Sequence, residues 1–344
     1  MKIHVLADDR TGNTHQAIAL AEKLTEEYTI IKLQYNCLAK LPNFLLKYYP
    51  IHIKSELLQD IIAKPLPDII ITAGRRTAVL AFYLKKKLKK DIKLIQIMQP
   101  SLPYDAFAAV ILPYHDLSNS QNVIPWLDHG IQKKIKEDWI PLQAHEMTIL
   151  PINGAINNVT EKFAAANLEL QKHYPDLKQF IAVIIGGNNK KFNFNEDEAT
   201  LFSSLLNKIY TNQKIPFFIT FSRRTPITVK SIIKNNMSSS TIIYDPTEDT
   251  GYNPYVAMLA NAKYIISTAD SISMCSEAAS SGKPLYIFCQ QNFNSSKHKI
   301  FIKQLVEQKI ARIFDESVTM LEEYNYKPLN EAERVAEIIR PLIK

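Results

Sequence analysis

Short apolar runs of strand length recur along the chain and alternate with stretches of helical periodicity. This alternation is typical of parallel sheets whose strands are joined by crossover helices. The apolar runs are continuous rather than interleaved with polar residues, which indicates strands buried on both faces of a sheet. The predicted strands are residues 3–7, 28–33, 68–72, 92–98, 108–112, 147–151, 180–186, 216–221, 240–245, 263–268 and 284–289.

The 344 residues suffice for two domains of ordinary size. A stretch with prolines and a glycine around residues 140–175 predicts the boundary between them. We therefore expect an α/β protein with two Rossmann-like lobes whose parallel sheets face each other across a cleft. The first lobe comprises residues 1–150 and the second residues 151–325, and an amphipathic helix in residues 326–344 packs back on the first lobe.

The composition, with 46% hydrophobic and 22% charged residues, is that of a soluble globular protein. Asp8 and Asp9 come too early for the apolar core of a signal peptide. The cysteines, Cys37, Cys275 and Cys289, are odd in number and lack metal-ligand spacing, which favours a reducing compartment over a disulfide framework. We expect a cytoplasmic protein.

The net charge of +7 reflects lysine in a chain also rich in Ile and Asn, a bias that low-GC coding alone produces, so we expect no nucleic-acid partner. Lysine-rich residues 85–93 follow an apolar stretch, and residues 44–54 interleave aromatic residues with lysines. Such segments suit peripheral contact with an anionic membrane, here the cytoplasmic face of the inner membrane. The alternative is a solvated helix end and a core helix.

One segment occurs twice: IITAGRRTA at residues 70–78 returns as FITFSRRTP at residues 218–226. In each copy a strand-like run ends in small residues, followed by Arg-Arg-Thr and a helical stretch. Guanidinium groups beside a helix N-terminus bind phosphate or carboxylate. The copies therefore predict two anion sites, although chance similarity and surface salt bridges worth about 0–1 kcal/mol are the alternatives. The residues concerned are Gly74, Arg75 and Arg76 in the first copy and Ser222, Arg223, Arg224 and Thr225 in the second.

A second candidate is ADDRTGNTHQA at residues 7–17, predicted as a loop after the first strand with His15 at the start of a helix. His15 or Asp9 is positioned to act as the general base on an acceptor hydroxyl, a role worth about 10²–10⁴-fold in rate. Alternatively, Asp8 and Asp9 cap the helix and pair with Arg10. The candidates for the acceptor side are Asp8, Arg10, Thr11, Gly12, Gly74, Arg75, Arg76 and His115.

The second half of the chain contains the pattern of a nucleotide-binding site. Gly186 and Gly187 end a strand, where glycine lets backbone amides approach a phosphate. In STADSISMCSEAASSGKPLYIF, Asp270 and Ser271 are N-cap candidates, and Glu277 lies on a helix of small residues. Small side chains permit close approach of a ligand, and a carboxylate accepts hydrogen bonds from both ribose hydroxyls. The alternative is an exposed helical glutamate.

These motifs resemble the family named for the plant mitochondrial fission factor, the "elongated mitochondria" protein. The matching stretches are DDRTGNTHQA, PDIIITAGRRTA, IQIMQP, ILPYHD, IGG, FSRRTP, GYNPYVAMLANA and TADSISMCSEAASSGKPLYIF. They span residues 8 to 288 in the same order. The resemblance implies a two-lobed GT-B fold, and its bacterial members look like glycosyltransferases, including lipooligosaccharide outer-core enzymes.

The segment around Glu277 is also similar to the donor site of the peptidoglycan lipid II synthase. This similarity implies that Glu277 holds the ribose and that other residues flank the diphosphate and base. The loop at residues 8–15 corresponds to that enzyme's glycine-rich loop but has one glycine instead of several, and His15 stands where its histidine lies. The donor-site residues implied or inferred are Gly186, Gly187, Ser222, Arg223, Arg224, Thr225, Asp270, Ser271, Ser273, Met274 and Glu277.

The resemblance thus implies a glycosyltransferase. No Asp-x-Asp motif occurs, which fits a mechanism without a metal, and we expect no cofactor. Its donor is expected to be a UDP-linked sugar and its acceptor a glycolipid, a saccharide or a lipooligosaccharide core. A non-catalytic membrane scaffold and a sugar-nucleotide epimerase are the alternatives.

Overall fold

The structure, a computed structural model, describes residues 1–41, 43–46, 49–88, 91–117, 142–144, 147–189, 192–290, 293 and 295–343. The chain divides into two compact units. The first unit comprises Met1–Asn157 together with Asn330–Lys344, and the second comprises Asn158–Leu329.

The first unit contains a seven-stranded sheet with the strand order β2-β1-β3-β4-β5-β7-β6. Neighbouring strands are parallel except for β6, which pairs antiparallel with β7. The strands are β1 Ile3–Ala7, β2 Tyr28–Lys32, β3 Ile69–Ala73, β4 Lys93–Ile97, β5 Ala109–Pro113, β6 Leu142–Ala144 and β7 Met147–Ile152. The α-helices are Thr11–Leu24, Asn43–Leu46, Ser55–Ala63, Arg75–Leu88, Tyr114–Leu117 and Glu331–Ile339, and the 3-10 helices are Cys37–Lys40, Tyr104–Ala106 and Arg340–Leu342.

The C-terminal helix Glu331–Ile339 belongs to this unit because one of its faces is wholly apolar. Ala332, Val335, Ala336 and Ile339 recur at helical spacing, and all are buried in the same core cluster as strand β1. This periodicity places the four side chains on one stripe of the helix. The helix therefore completes the cover over one face of the first sheet.

The second unit contains a six-stranded, fully parallel sheet with the order β10-β9-β8-β11-β12-β13. Numbered within the unit, this order is 3-2-1-4-5-6, that of the Rossmann fold. Its strands are β8 Ile181–Ile185, β9 Phe217–Phe221, β10 Ile242–Tyr244, β11 Tyr264–Thr268, β12 Leu285–Phe288 and β13 Ala311–Ile313. The α-helices are Phe163–His173, Glu196–Gln213, Ile227–Asn236, Tyr255–Asn261, Ile272–Ser280 and Ser296–Glu307, preceded by the 3-10 helix Val159–Lys162.

The predicted α/β fold with two Rossmann-like units is confirmed, and each predicted strand is present. Two short strands were not predicted, β6 and β13, because three residues carry too little pattern. The prediction of a loop through residues 8–14 was wrong in its extent, since a helix already begins at Thr11. Thr11, Gly12 and His15 are therefore helical residues.

Within the described ranges, no helix is long and apolar enough to cross a membrane. The segments predicted to face a membrane lie partly outside the described residues. In the described part, Lys85, Lys86 and Lys87 occupy the last turn of helix Arg75–Leu88.

Candidate functional site

Each sheet has one switch point, where the connections from two neighbouring strands leave in opposite directions. In open α/β sheets, ligands bind outside the carboxyl ends of the strands at this point. The switch point lies between β1 and β3 in the first sheet and between β8 and β11 in the second. The predicted site residues follow these strands or their neighbours, except for His115, which follows β5.

In the second unit, Asp270 ties the carboxyl ends of β8 and β11 together. Its buried carboxylate accepts hydrogen bonds from the Gly187 amide at 2.8 Å and from the Thr268 hydroxyl at 2.7 Å. The Gly186 amide donates to the Thr268 hydroxyl at 2.7 Å. A Cβ atom on Gly186 would lie 2.1 Å from the Asp270 carboxylate oxygens. Both glycine amides are thus engaged within the protein, and glycine is required here by the close approach of Asp270.

The turn at residues 222–225 packs directly against the same glycines. The Thr225 hydroxyl donates to the Gly186 carbonyl at 2.6 Å, and the Asn188 amide donates to the Arg224 carbonyl at 3.1 Å. A Cβ atom on Gly187 would lie 2.3 Å from the backbone of Arg224. The turn is therefore fixed in position, while the side chains of Arg223 and Arg224 remain exposed.

Glu277 is largely buried and forms a pair with Tyr255. The Tyr255 hydroxyl donates a short hydrogen bond to the Glu277 carboxylate. Burial raises the pKa of Glu277, and the hydrogen bond from Tyr255 and the charge of Lys162 oppose this rise. Burial and the adjacent carboxylate raise the pKa of Tyr255 well above its ordinary value, so the phenol stays protonated and remains a donor. The sequence alternative of an exposed helical glutamate is wrong.

Glu277 lies on helix Ile272–Ser280, which begins directly after β11. Ser271 is its N-cap, and its hydroxyl accepts a hydrogen bond from the Met274 amide. Ser273 and Met274 lie in the first turn and are half-buried. The N-terminus of this helix, a favourable environment for anions, therefore lies at the switch point of the second sheet.

In the first unit, Arg76 binds the acidic residues that follow β1. Its guanidinium donates to Asp8 at 2.7 Å, makes two hydrogen bonds to Asp9, and lies 4.2 Å from the ring centroid of Tyr35. Burial alone would raise the pKa of Asp9, but the hydrogen bonds and charge of Arg76 outweigh it and lower that pKa. The alternative that Asp8 and Asp9 pair with Arg10 is corrected: both carboxylates pair with Arg76, and Arg10 is the N-cap residue of helix Thr11–Leu24.

The remaining acceptor-side candidates have different surroundings. Arg75 donates a hydrogen bond to the Leu41 carbonyl at 2.8 Å and so contacts the chain just after the 3-10 helix Cys37–Lys40. Gly74 has φ +88°, and a Cβ atom there would lie 2.7 Å from the Asn13 amide nitrogen. His15 is exposed on helix Thr11–Leu24, whereas His115 is buried in the short helix Tyr114–Leu117.

Sequence reasoning missed the partners that hold these residues. Tyr255 was part of a quoted motif without an assigned role, and Thr268 was treated as the end of a strand. Tyr35 and the buried His52, whose rings stack with centroids 5.8 Å apart, were not considered. His52 contacts the Arg76 backbone carbonyl at 3.1 Å and stacks on Tyr35, whose ring contacts the guanidinium. These residues therefore help to position the Arg76 side chain.

Solved structures with the same architecture include sugar-nucleotide enzymes. The UDP-GlcNAc 2-epimerase of Methanocaldococcus jannaschii superposes with a TM-score of 0.61 at 13% identity, covering 98% of this chain and 99% of that one. The Escherichia coli ADP-heptose lipopolysaccharide heptosyltransferase II gives a TM-score of 0.50 at 12% identity, covering 100% and 98%. At this identity the likeness shows the fold, which is that of GT-B glycosyltransferases and related epimerases.

Comparison with related sequences identifies the family of the chain. Uncharacterized protein RP120 of Rickettsia prowazekii is 72% identical over 100% of this chain and 99% of its own length. The mitochondrial fission protein ELM1 of Arabidopsis thaliana is 29% identical to this chain. The alignment covers 80% of this chain and 63% of the plant protein. The model of the family described as Mitochondrial fission ELM1 matches residues 11–343. The chain therefore belongs to the mitochondrial fission ELM1 family.

Proposed function

We propose that this protein is a metal-independent glycosyltransferase that moves a sugar from a nucleotide-sugar, most simply a UDP-sugar, to a hydroxyl of a glycolipid or lipooligosaccharide-type acceptor. The observation that carries this proposal is the half-buried carboxylate of Glu277, which accepts a hydrogen bond from Tyr255 on the helix that begins at the switch point of a Rossmann-ordered sheet. A buried carboxylate is costly unless it has hydrogen-bond donors. The two hydroxyls of a ribose are such donors.

The leaving diphosphate requires positive charge, and the second unit offers it on the turn at residues 222–225. Arg223 and Arg224 are exposed there on a backbone locked against Gly186 and Gly187. Since both glycine amides already donate within the protein, the guanidinium groups and the N-terminus of helix Ile272–Ser280 supply the anion contacts in this proposal. Cationic side chains and helix amides close to a developing negative charge stabilise it in the transition state.

For the general base, the geometry favours His15 over Asp9. Arg76 lowers the pKa of Asp9, and a carboxylate stabilised in this way is a weak proton acceptor. His15 is exposed on the helix that follows β1, and an imidazole nitrogen is a common general base in enzymes. In this proposal Asp8, Asp9 and Arg76 shape the acceptor side, and His15 accepts the proton.

The names of the fold relatives agree with sugar-nucleotide chemistry. One is a UDP-GlcNAc 2-epimerase, and another is an ADP-heptose heptosyltransferase of lipopolysaccharide. These names support a nucleotide-sugar donor and a lipopolysaccharide-like acceptor for this chain as proposals. The family name refers to mitochondrial fission rather than to sugar transfer, so a non-catalytic membrane-associated scaffold is the alternative function.

The first test is thermal stabilisation of the purified protein by UDP-, GDP-, CMP- and dTDP-sugars. A bound ligand stabilises the fold by about 2.7 kcal/mol at 100 times its Kd. We expect one nucleotide class to raise the Tm and Glu277→Gln to reduce this response. Glu316→Gln, an exposed change in the same unit, is the matched control. An unchanged Tm with every nucleotide-sugar would overturn the donor proposal and favour the scaffold.

The responding donor then separates transfer from epimerisation. We expect the donor to persist without acceptor and to release nucleoside diphosphate when a lipooligosaccharide core is added. Conversion to an epimer without acceptor would identify an epimerase and contradict the transferase proposal.

A further inference from the structure

The second unit has a cavity of about 530 Å³ between helix Ser296–Glu307 and the end of the sheet. This volume falls in the range of about 300–1,000 Å³ that is typical of small-molecule sites. Its walls are mostly apolar. The lining comprises Cys289, Gln290, Phe293, Lys299, Ile302, Lys303, Val306, Glu307 and Ile313.

Gln290 is the unusual member of this lining. The side chain is 3% exposed, and neither its amide nitrogen nor its amide oxygen has a hydrogen-bond partner in the described part of the chain. A buried amide that lacks partners loses the hydrogen bonds it would make to water. The residue therefore lines the cavity with an unused donor and an unused acceptor.

Two exposed lysines, Lys299 and Lys303, line the cavity. The Lys299 ammonium group has no ion pair within the ranges that the structure describes, and its charge acts on the Cys289 thiol. Lys303, one turn further along the helix, lies 3.6 Å from Glu307 in an exposed pair. Lys299 thus supplies a positive charge beside an apolar wall.

We propose that this cavity binds a single-chain lipid with a phosphate head and a free hydroxyl, of the lysophosphatidic acid type. The phosphate pairs with Lys299, the glycerol hydroxyl donates to the Gln290 amide oxygen, and the ester carbonyl accepts from the Gln290 amide nitrogen. The acyl chain lies against Phe293, Ile302 and Val306. This ligand supplies the donor, the acceptor, the anion and the apolar body that the lining requires. The site is separate from the nucleotide-sugar proposal, because none of its lining residues belongs to the donor-site candidates.

The test is calorimetric titration of the full chain with lysophosphatidic acid below its micelle concentration. We expect saturable binding at one site, and Lys299→Glu should weaken it by about tenfold or more, since a charged hydrogen bond is lost. Lys172→Glu, an equal charge change on an exposed helix of the same unit, should leave the affinity unchanged. Equal loss in both variants would show charge attraction alone and overturn the site.

Gln290→Leu gives an independent readout. It removes two unpartnered polar atoms, so the Tm should stay the same or rise while lipid affinity falls by about tenfold. Val306→Trp should fill the cavity and abolish binding, whereas Ile227→Trp, at a position 77% exposed, should not. Wild-type affinity in Gln290→Leu, no saturable binding, or displacement of the lipid by UMP at similar concentration would each overturn the proposal. Binding only to pelleted vesicles, without monomer binding, would also overturn it.

Discussion

Arg76 donates a hydrogen bond of 2.7 Å to Asp8 across the switch point of the first sheet, joining residues 68 positions apart. Asp8 follows β1 and Arg76 follows β3, and these strands are neighbours. The guanidinium that the sequence offers as an anion site is thus already bound to the protein's own carboxylates. In the first unit, Arg76 therefore holds Asp8 and Asp9 in position after β1.

Replacing Arg76 with Met should destabilise the first unit by about 2 kcal/mol, because Asp8 and Asp9 lose a charged donor. The side chain of Asp8 is 4% exposed, so water replaces the lost contact poorly. A lower urea midpoint would show the effect, and Arg10→Met, an exposed change on the same loop, should leave it within about 0.5 kcal/mol. A midpoint for Arg76→Met as high as that of Arg10→Met would show that the pair contributes nothing to stability.

The duplicated Arg-Arg-Thr segment shows what a sequence pattern can and cannot predict. It correctly indicated strands followed by helices, β3 and β9 among them. The two copies are not topologically equivalent, however. In the second sheet, β9 and β11 lie on opposite sides of the first strand, β8. In the first sheet, β3 lies on the side of β1 that corresponds to the position of β11, not to that of β9. Strand order depends on contacts between distant segments, which local pattern does not contain.

The placement of the candidate site residues at strand ends was predictable from the sequence, but their hydrogen-bond partners were not. Strand ends marked by Gly186, Gly187 and Asp270 were found because residues of unusual type cluster there. Their mutual hydrogen bonds were not, since the 83 positions between Gly187 and Asp270 carry no local signal of the contact. The same holds for Tyr255 and Glu277. Pairings of this kind follow from the register of the folded sheet.

Gly187→Ala should strongly destabilise the second unit. The added methyl group would lie 2.3 Å from the Arg224 carbonyl and 2.4 Å from the Thr225 amide nitrogen, and both are backbone atoms that cannot rotate away. We expect a loss of about 1–3 kcal/mol from overpacking. Gly251→Ala is the matched control, because no atom lies within 4 Å of its added methyl group. Similar melting temperatures for the two variants would contradict the packing argument.

Lys230→Met should destabilise the second unit by about 3 kcal/mol, because Lys230 pairs at 2.8 Å with Asp245 and both side chains are buried. Lys234→Met, a more exposed partner of the same carboxylate, should cost less than about 1 kcal/mol. Urea unfolding of both variants gives the comparison, and equal losses would refute the role of burial.

The same pair should make stability depend on pH in acid. Burial would raise the pKa of Asp245, but the hydrogen bonds from Lys230 and Thr247 lower it to about 2. Since the unfolded pKa is about 3.9, the stabilisation is complete above that pH and is lost as the pH falls toward 2. Lys230→Met should flatten the unfolding free energy between pH 4 and 2, and an unchanged slope would exclude this ion pair as its source.

Glu277 should show opposite effects on stability and on donor binding. Because burial raises its pKa, the folded protein binds the proton more tightly than the unfolded chain. The contribution of this group to stability is then fully present below the unfolded pKa and is lost as the pH rises through the folded pKa. At pH 7, Glu277→Gln should therefore raise the Tm of the free protein while weakening donor binding by about tenfold. A lower Tm with unchanged donor affinity would show that the carboxylate serves packing.

Tyr255→Phe should shift the pH dependence of donor binding. Removing the hydroxyl removes a hydrogen bond that lowers the pKa of Glu277, so that pKa rises further. In the proposed site the donor binds the ionised carboxylate of Glu277, so the decline of donor affinity with falling pH should begin at a higher pH in the variant. Titration calorimetry from pH 8 to 5 measures the profile, with Tyr210→Phe, a change away from Glu277, as the control. Superimposable profiles for the wild type and Tyr255→Phe would contradict the proposed role of the Glu277 carboxylate in donor binding.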